Sequence, residues 1–333
     1  MRVFVYEYLS TGALDDDPGA TSLQREGLAM LTAAACDLAR CPGVSVATLL
    51  GAQHTGVCNG LFQGEALVVR RGEEEAAYRR LARASDWTLV IAPEFDGILA
   101  ERARWAQEEG SALLGPLPSA IELTADKAAL AEHLRGQAIP TPAVHGMEAL
   151  PEYPLVVKPR WGAGCQATYL IRNVDELAQC RRWLQADSIA QQWVEGEAAS
   201  IAVLAGPGGC VLLPPARQHL DTRAAFAYEG GSVPLPREQA EGIESLARRV
   251  VDCVPGLQGY FGLDVVCTPT GVQLIEINPR LTTSYIGLRQ LARGNLMACL
   301  LELMQGQSPN PLAWKDQLCI RFFPDGSHLE TTS

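Results

Sequence analysis

Apolar residues recur along this chain in two rhythms that alternate. Residues 2–6 (Arg-Val-Phe-Val-Tyr), 44–50 and 87–92 (Trp-Thr-Leu-Val-Ile-Ala) are near-continuous apolar runs of strand length. Between the first two, Leu23, Leu28, Leu31, Ala35 and Leu38 recur at helical spacing, which predicts a helix over 23–40. Further helices are predicted over 78–84 and 98–109. Strands apolar on both faces that alternate with helices predict a small parallel α/β domain. Gly115-Pro-Leu-Pro118 marks its end, because two prolines in four residues resist both a helix and an inner strand. The first unit is therefore residues 1–117.

The rhythm changes after that boundary. A helix is predicted over 128–134 with Thr124 or Asp126 as its N-cap, then a Val-rich strand over 154–158 and a helix over 174–184. A hairpin follows over 199–204 and 209–213, turned at Gly206-Pro-Gly-Gly209. The helix over 237–254 carries Ile243, Leu246, Ala247, Val250 and Val251 on one face. Arms ending at Val266 and starting at Val272 form a second hairpin, turned at Thr268-Pro-Thr-Gly271. A helix over 288–304, a strand over 317–323 and a loose tail over 324–333 close the chain. Hairpins with helices set beside them predict an α+β part, divided into units 118–193 and 194–333.

The second hairpin carries the sharpest chemistry. Asp264 stands in its first arm, and Glu276 and Asn278 stand two apart in its second, so the latter pair share a face. A hairpin brings Asp264 opposite them. Two carboxylates and an amide oxygen make a site for Mg²⁺, which favours oxygen ligands and shares them with substrate phosphates. The alternative is an edge strand with solvated polar residues, but carboxylates beside Ile275 and Ile277 are costly to bury without a cation. Two lysines stand upstream. Lys158 ends a Val-rich strand and is followed by Pro159, Gly162 and Gly164, a loop whose backbone N–H groups can approach an anion. Lys127 opens a helix, where its charge opposes the helix dipole. Phosphate binding would account for that, and so would simple solvation. No Gly-Lys-Ser/Thr follows, so the loop is not a Walker A loop.

Other candidates rest on position. Ligands bind beyond the carboxyl ends of parallel strands, which puts forward Glu7, Tyr8, Ser10 and Glu94 for substrate contact, or equally for capping turns. Arg217, preferred to Arg223, leaves a strand where it could neutralise phosphate or a substrate carboxylate. Thr282, Thr283 and Ser284 either bind substrate or cap the next helix.

The 333 residues are enough for two or three domains, and 47% apolar with 20% charged residues is the composition of a soluble globular protein. A net charge of −11 argues against nonspecific nucleic-acid binding. No apolar run approaches the roughly 18 residues of a membrane span. Asp15-Asp16-Asp17 after the first strand is unlike a secretory signal. Ten cysteines (Cys36, Cys41, Cys58, Cys165, Cys180, Cys210, Cys253, Cys267, Cys299 and Cys319) include no C-x-x-C pair and read as reduced core residues, which points to the cytoplasm.

Asp264 with Glu276-x-Asn278-Pro-Arg280, Lys127 after Asp126, and Lys158-Pro-x-x-Gly162-x-Gly164, in this order, resemble the ATP-grasp ligases across residues 118–310. The resemblance implies a pre-ATP-grasp domain followed by the two-subdomain ATP-grasp fold. It also implies ATP with Mg²⁺, two ions by family pattern, with Mn²⁺ as a substitute. Asp264, Glu276 and Asn278 would hold the metal, Lys127 and Lys158 the phosphates, and Arg280 the transferred phosphate. Gln191 and the backbone at Val194 would read adenine, and Glu195 or Glu197 the ribose; Trp193 reads as core. Glu7-Tyr-x-Ser10, Ala92-Pro-Glu94 and the Thr-Thr-Ser after Arg280 are similar to one branch, the tyramine–glutamate ligases of methanofuran synthesis. The implied activity joins a carboxylate to an amine through an acyl phosphate, with glutamate as acid and tyramine or tyrosine as amine. A small-molecule kinase or a non-catalytic ATP sensor on the same fold are the alternatives. Neither charge nor helix content decides for or against a homodimer.

Overall fold

The computed structural model of the chain describes residues 1–14, 21–57, 64–223 and 225–332; Asp15–Asp17 and Cys58 lie outside them. The first sheet is parallel, in the order β3-β2-β1-β4-β5. Its elements are β1 (Arg2–Glu7), α1 (Thr21–Ala39), β2 (Ser45–Gly51), β3 (Gly64–Val69), α2 (Glu74–Arg83), β4 (Trp87–Ile91), α3 (Ile98–Glu108) and β5 (Ala112–Leu113). Helices α2 and α3 cover one face with Tyr78, Leu81, Leu99 and Trp105 against Phe4 and Tyr6. On the other face, α1 packs through Leu31, Ala34 and Leu38. Strand β3 was not expected. It is an edge strand with exposed residues, so burial leaves no alternating pattern to read.

The next elements are α4 (Pro118–Ala125), α5 (Lys127–Gly136), β6 (Val144–Gly146), β7 (Leu155–Pro159), β8 (Tyr169–Ile171), α6 (Val174–Cys180) and β9 (Ser188–Gln192). Their strands form an antiparallel sheet in the order β6-β9-β7-β8. Helix α4 corrects the expectation that prolines bar a helix at 115–118. Pro118 occupies the first helical position, where no N–H is needed. Asp126, rather than Thr124, caps α5, accepting from the backbone N–H of Ala128 and Ala129 (3.1 Å each).

The third sheet is antiparallel, in the order β15-β14-β10-β12-β13-β16-β17, with β11 beside β10. It holds β10 (Glu197–Gly206), β11 (Gly209–Leu212), β12 (Ala216–Asp221), β13 (Ala227–Val233), α7 (Arg237–Cys253), β14 (Gly259–Thr268) and β15 (Gly271–Asn278). After these come α8 (Ser284–Leu291), α9 (Leu296–Met304), β16 (Leu318–Phe322) and β17 (His328–Thr332). The helix expected over 288–304 is two helices. The chain breaks at Gly294, and Asn295 caps α9 by accepting from the N–H of Met297 (2.9 Å) and Ala298 (3.3 Å). The tail is not loose: β17 pairs with β16 from Leu318↔Thr332 to Phe322↔His328. Helix α7 lays Ile243, Leu246, Ala247 and Val250 on one face of this sheet. Its other face meets α8 and α9, which share one core with α1 and β1. The first and third sheets are thereby locked together through α1. Asp37 of α1 adds polar contacts, accepting from Tyr285 Oη (2.6 Å) and from Arg289 Nε (2.7 Å) and Nη2 (2.6 Å) of α8. Among the described residues no helix is long and apolar enough to cross a membrane.

Candidate active site

A cavity of about 470 Å³ lies between the second and third sheets, with α1 and the start of α8 at its far wall. Its charged end is the β14–β15 hairpin. Asp264 and Glu276 are cross-strand partners and Gly262 opposes Asn278, so all three functional side chains reach one face. Asn278 Nδ2 donates to Asp264 Oδ2 (3.0 Å), and Gln218 Nε2 donates to Oδ1 (2.8 Å). Burial, then the adjacent Glu276 charge, pushes the Asp264 carboxyl up to about 7. Burial also acts to raise Glu276, but Lys127, Lys158 and Arg280 together hold it below the usual carboxylate range. Two opposed carboxylates and an amide, in a wall facing Lys127 and Lys158, are a hard oxygen donor set with excess negative charge. That chemistry fits Mg²⁺.

The lysines arrive from the second sheet and its helices. Lys158 ends β7, is 5% exposed, and burial depresses its ammonium to about 8 despite attraction to Glu276. Lys127 Nζ donates to the Gly162 carbonyl (2.7 Å) and stands 3.8 Å from Glu276 Oε2. Asp126 explains how a lysine sits at a helix start: its carboxylate offsets the dipole and is held by Arg160 through Nε (2.7 Å) and Nη2 (2.6 Å). The loop after β7 bends sharply, with Gly164 at φ 64° and Cys165 at φ 60°. A Cβ on Gly164 would stand 2.8 Å from Leu23 Cδ2 of α1, and the left-handed φ of 64° there favours glycine. Burial pushes the Cys165 thiol up to about 12, leaving it an inert wall.

At the opposite end the wall is formed by Gln191, Trp193 and Val194 where β9 leaves its sheet. Trp193 is half-buried and meets Phe226 edge-on (6.4 Å, 89°), so it faces the cavity rather than the core. Glu195 and Glu197 do not line the cavity. Glu195 is exposed, and Glu197 pairs with Arg217 Nη2 (2.5 Å) and accepts from Gln239 Nε2 (3.1 Å). The cause is strand alternation. Ala198 and Ser200 face inward on β10 and Gln218 on β12, which turns Glu197 and Arg217 to the other face. Arg217 therefore does not meet the cavity, and Arg280 does.

Arg280 Nε donates to Glu94 Oε1 (2.9 Å) and Nη2 to Oε2 (3.4 Å), tying the site to the N-terminal domain. Glu7 and Ser10 do not reach the cavity. Glu7 is 2% exposed and accepts from the N–H of Leu9 (3.1 Å) and Ser10 (2.7 Å) and from Ser10 Oγ. Burial still pushes its carboxyl up to about 7. Thr283 and Ser284 line the cavity beside Thr282. Among the lining residues not anticipated are Gln218, Tyr228 and Glu26. Gln218 was detectable as the inward neighbour of Arg217, whereas Glu26 on α1 has no local signal.

The second and third sheets thus clasp a cavity between two lysines and an acidic hairpin. A family model described as an ATP-grasp domain matches residues 124–284, and one described as a pre ATP-grasp 3 domain matches residues 56–121. Residues 124–284 are thus an ATP-grasp domain by family model, and residues 56–121 a pre ATP-grasp domain. It is similar to the tyramine–L-glutamate ligase of Methanocaldococcus jannaschii, 28% identical over 204 residues, 61% of this chain and 58% of that protein. The Methanocaldococcus fervens enzyme of the same name is also 28% identical, over 61% of this chain and 62% of that protein. The alignment thus spans less than two thirds of either relative. An ATP-grasp superfamily protein from Archaeoglobus fulgidus superposes with a TM-score of 0.73 at 25% identity, over 96% of this chain and 92% of that one. The N5-carboxyaminoimidazole synthetase of Staphylococcus aureus complexed with ADP gives a TM-score of 0.73 at 16% identity, over 96% and 81%, a likeness of fold alone.

Proposed function

We propose that this protein is an ATP-dependent carboxylate–amine ligase, with glutamate as the acid and an aromatic amine, tyramine or tyrosine, as the nucleophile. The observation that carries the reading is one cavity lined by Lys127, Lys158, Arg280 and the Asp264–Glu276–Asn278 face. Lys127 and Lys158 neutralise the phosphates, and phosphoryl transfer depends on such positioned charge. Asp264, Glu276 and Asn278 would hold Mg²⁺, which would supply further neutralisation of the phosphate oxygens; a pair of ions, or Mn²⁺ in their place, belongs to the same proposal. Arg280 steadies the phosphate as it reaches the substrate carboxylate. Gln191 and Val194 orient the adenine. Thr283 and Ser284 offer hydroxyls to the acid. The amine then displaces phosphate from the acyl carbon, and no protein nucleophile is required. Units 1–117, 118–193 and 194–333, a cytoplasmic location and a homodimer complete the proposal. The similarity to tyramine–L-glutamate ligases supports the choice of substrates.

The test is ADP release with ATP, Mg²⁺ and glutamate, with and without tyramine, and mass spectrometry of the product. A γ-glutamyl amide formed only with every component is the expected result. A phosphorylated alcohol would favour a kinase. Tight Mg-ATP binding without turnover across a broad panel of acids and amines would overturn the enzyme reading.

A further inference from the structure

The charged groups of the cavity wall divide by task, and one carboxylate is left over. Lys127 and Lys158 face phosphate, Asp264 and Glu276 suit a cation, and Arg280 is held by Glu94. Glu26 has none of these tasks. It projects from α1 of the N-terminal domain into the wall shared with Thr283, Ser284 and Tyr228. Its Oε2 accepts one long hydrogen bond, from Thr283 Oγ1 at 3.5 Å. Tyr228 lines the same cavity, and the charges of Asp264 and Glu26 add to the burial that raises its hydroxyl pKa. The position of Glu26 is built rather than incidental. The next residue is Gly27, where a Cβ would lie 2.4 Å from Glu7 Oε1, so α1 is seated directly on β1. Asp37 further along α1 fixes the same helix to α8, which begins at Ser284.

The Arg280 charge offsets part of the cost of burying Glu26, but Arg280 is already paired with Glu94. This half-buried carboxylate therefore gains from an occupant that brings positive charge. ATP and the acid are both anions. The amine, protonated at neutral pH, is the reactant that gains from this wall. We propose that Glu26 is the amine-site residue, binding the substrate ammonium and accepting the proton it must lose before attack; this rests on the ligase reading. An N–H bond of the ammonium breaks and the proton passes to a Glu26 oxygen. The freed lone pair forms the C–N bond at the acyl carbon. The C–O bond to phosphate breaks, phosphate leaves with that electron pair, and it takes the second nitrogen proton to give the neutral amide. The aromatic ring of Tyr228, which feels the Glu26 charge, suits an amine with an aromatic body.

Glu26→Gln tests this with hydroxylamine, an uncharged nucleophile that traps an acyl phosphate as the hydroxamate. With ATP, Mg²⁺ and L-glutamate, wild type and variant are expected to form hydroxamate at rates within about twofold. The variant's kcat/KM for tyramine is expected to fall at least about tenfold, the scale of one charge-assisted hydrogen bond. Tyramine binding by calorimetry, with glutamate and a non-hydrolysable ATP analogue bound, should weaken by about the same factor. Glu26→Asp retains the charge and should recover part of both losses; if Glu26→Gln does not fold, the same selective tyramine defect must appear in Glu26→Asp. Equal loss of hydroxamate and tyramine turnover would overturn the proposal, and so would unchanged tyramine parameters. Failure of the underlying reading looks different: the wild type itself then forms no hydroxamate from any acid, and the amine site falls with it. If the wild type uses an acid other than glutamate, only the acid assignment falls, and the comparison on that acid decides for or against Glu26.

Discussion

Replacing Lys158 with Met separates stability from function at the phosphate end of the cavity. Burial lowers the Lys158 ammonium from 10.5 to about 8, and the attraction to Glu276 is already included in that balance. At 1.36 kcal/mol per pKa unit, the charged lysine costs the empty protein roughly 3 kcal/mol, with little discount because the side chain is buried. A base whose folded pKa lies below its unfolded pKa carries this cost in full below about pH 8, where both states are charged. Between about 8 and 10.5 the folded state binds fewer protons than the unfolded one, so stability rises with pH and the cost disappears. Lys158→Met is nearly isosteric and uncharged. It is expected to raise the midpoint of thermal unfolding at pH 7 by roughly 5 °C in EDTA, from the scaling of melting temperature with free energy. The advantage over wild type should shrink as the pH is raised from 8 to 10. The same change removes a charge-assisted contact to phosphate, so Mg-ATP should bind about ten- to a hundredfold more weakly. Thermal shift with and without Mg-ATP, across pH, reads both effects. A variant less stable than wild type at pH 7 without nucleotide would refute the reasoning, because Lys158 would then be a net stabilising partner of Glu276.

Asp264→Asn removes one of the two carboxylates opposed in the hairpin. Mg²⁺-dependent stabilisation by a non-hydrolysable ATP analogue should weaken by about thirtyfold or more, measured as the Mg²⁺ concentration giving half of the thermal shift. Asp37→Ala leaves Arg289, whose side chain is 17% exposed, without its carboxylate. Loss of one member of such a pair costs about 3–5 kcal/mol, which urea denaturation will show as a lower midpoint. Gly27→Ala places a methyl 2.4 Å from Glu7 Oε1. Overpacking of about 1–3 kcal/mol is expected, again as a lower urea midpoint; an unchanged midpoint would mean that α1 can lift from β1 without cost.

Elements whose burial imposes a rhythm were legible in the sequence. Strands β1, β2 and β4 are buried almost throughout, and their continuous apolar runs distinguish them from the alternating hairpins. Helix α7 declares itself because one face alone meets the sheet. The elements that escaped carry no such imprint. Strand β3 lies at an edge with most of its residues exposed, and β17 is exposed along its whole outer length. The break between α8 and α9 is hidden because both helices are apolar; only Gly294 and the Asn295 cap mark it. Pro118 starts α4, because the first helical position lacks the constraint that excludes proline elsewhere.

The site divides along the same physical line. Asp264, Glu276 and Asn278 could be placed together because a hairpin fixes both distance and face over a few residues. Arg217 was misjudged by one position, since charge suggested a role while the pleat turned Gln218 inward instead. Glu26 could not be found this way. It is separated from Thr283 by 257 residues and reaches it only because α1 shares a core with α8 and α9. Its helix shows an ordinary alternation of apolar and polar residues in which a glutamate is unexceptional. What makes that glutamate chemically distinct is the cavity formed by other segments. The acidic hairpin can therefore be recognised from local spacing, while Glu26 belongs to the packing of α1 against α8 and α9, where sequence distance carries no information.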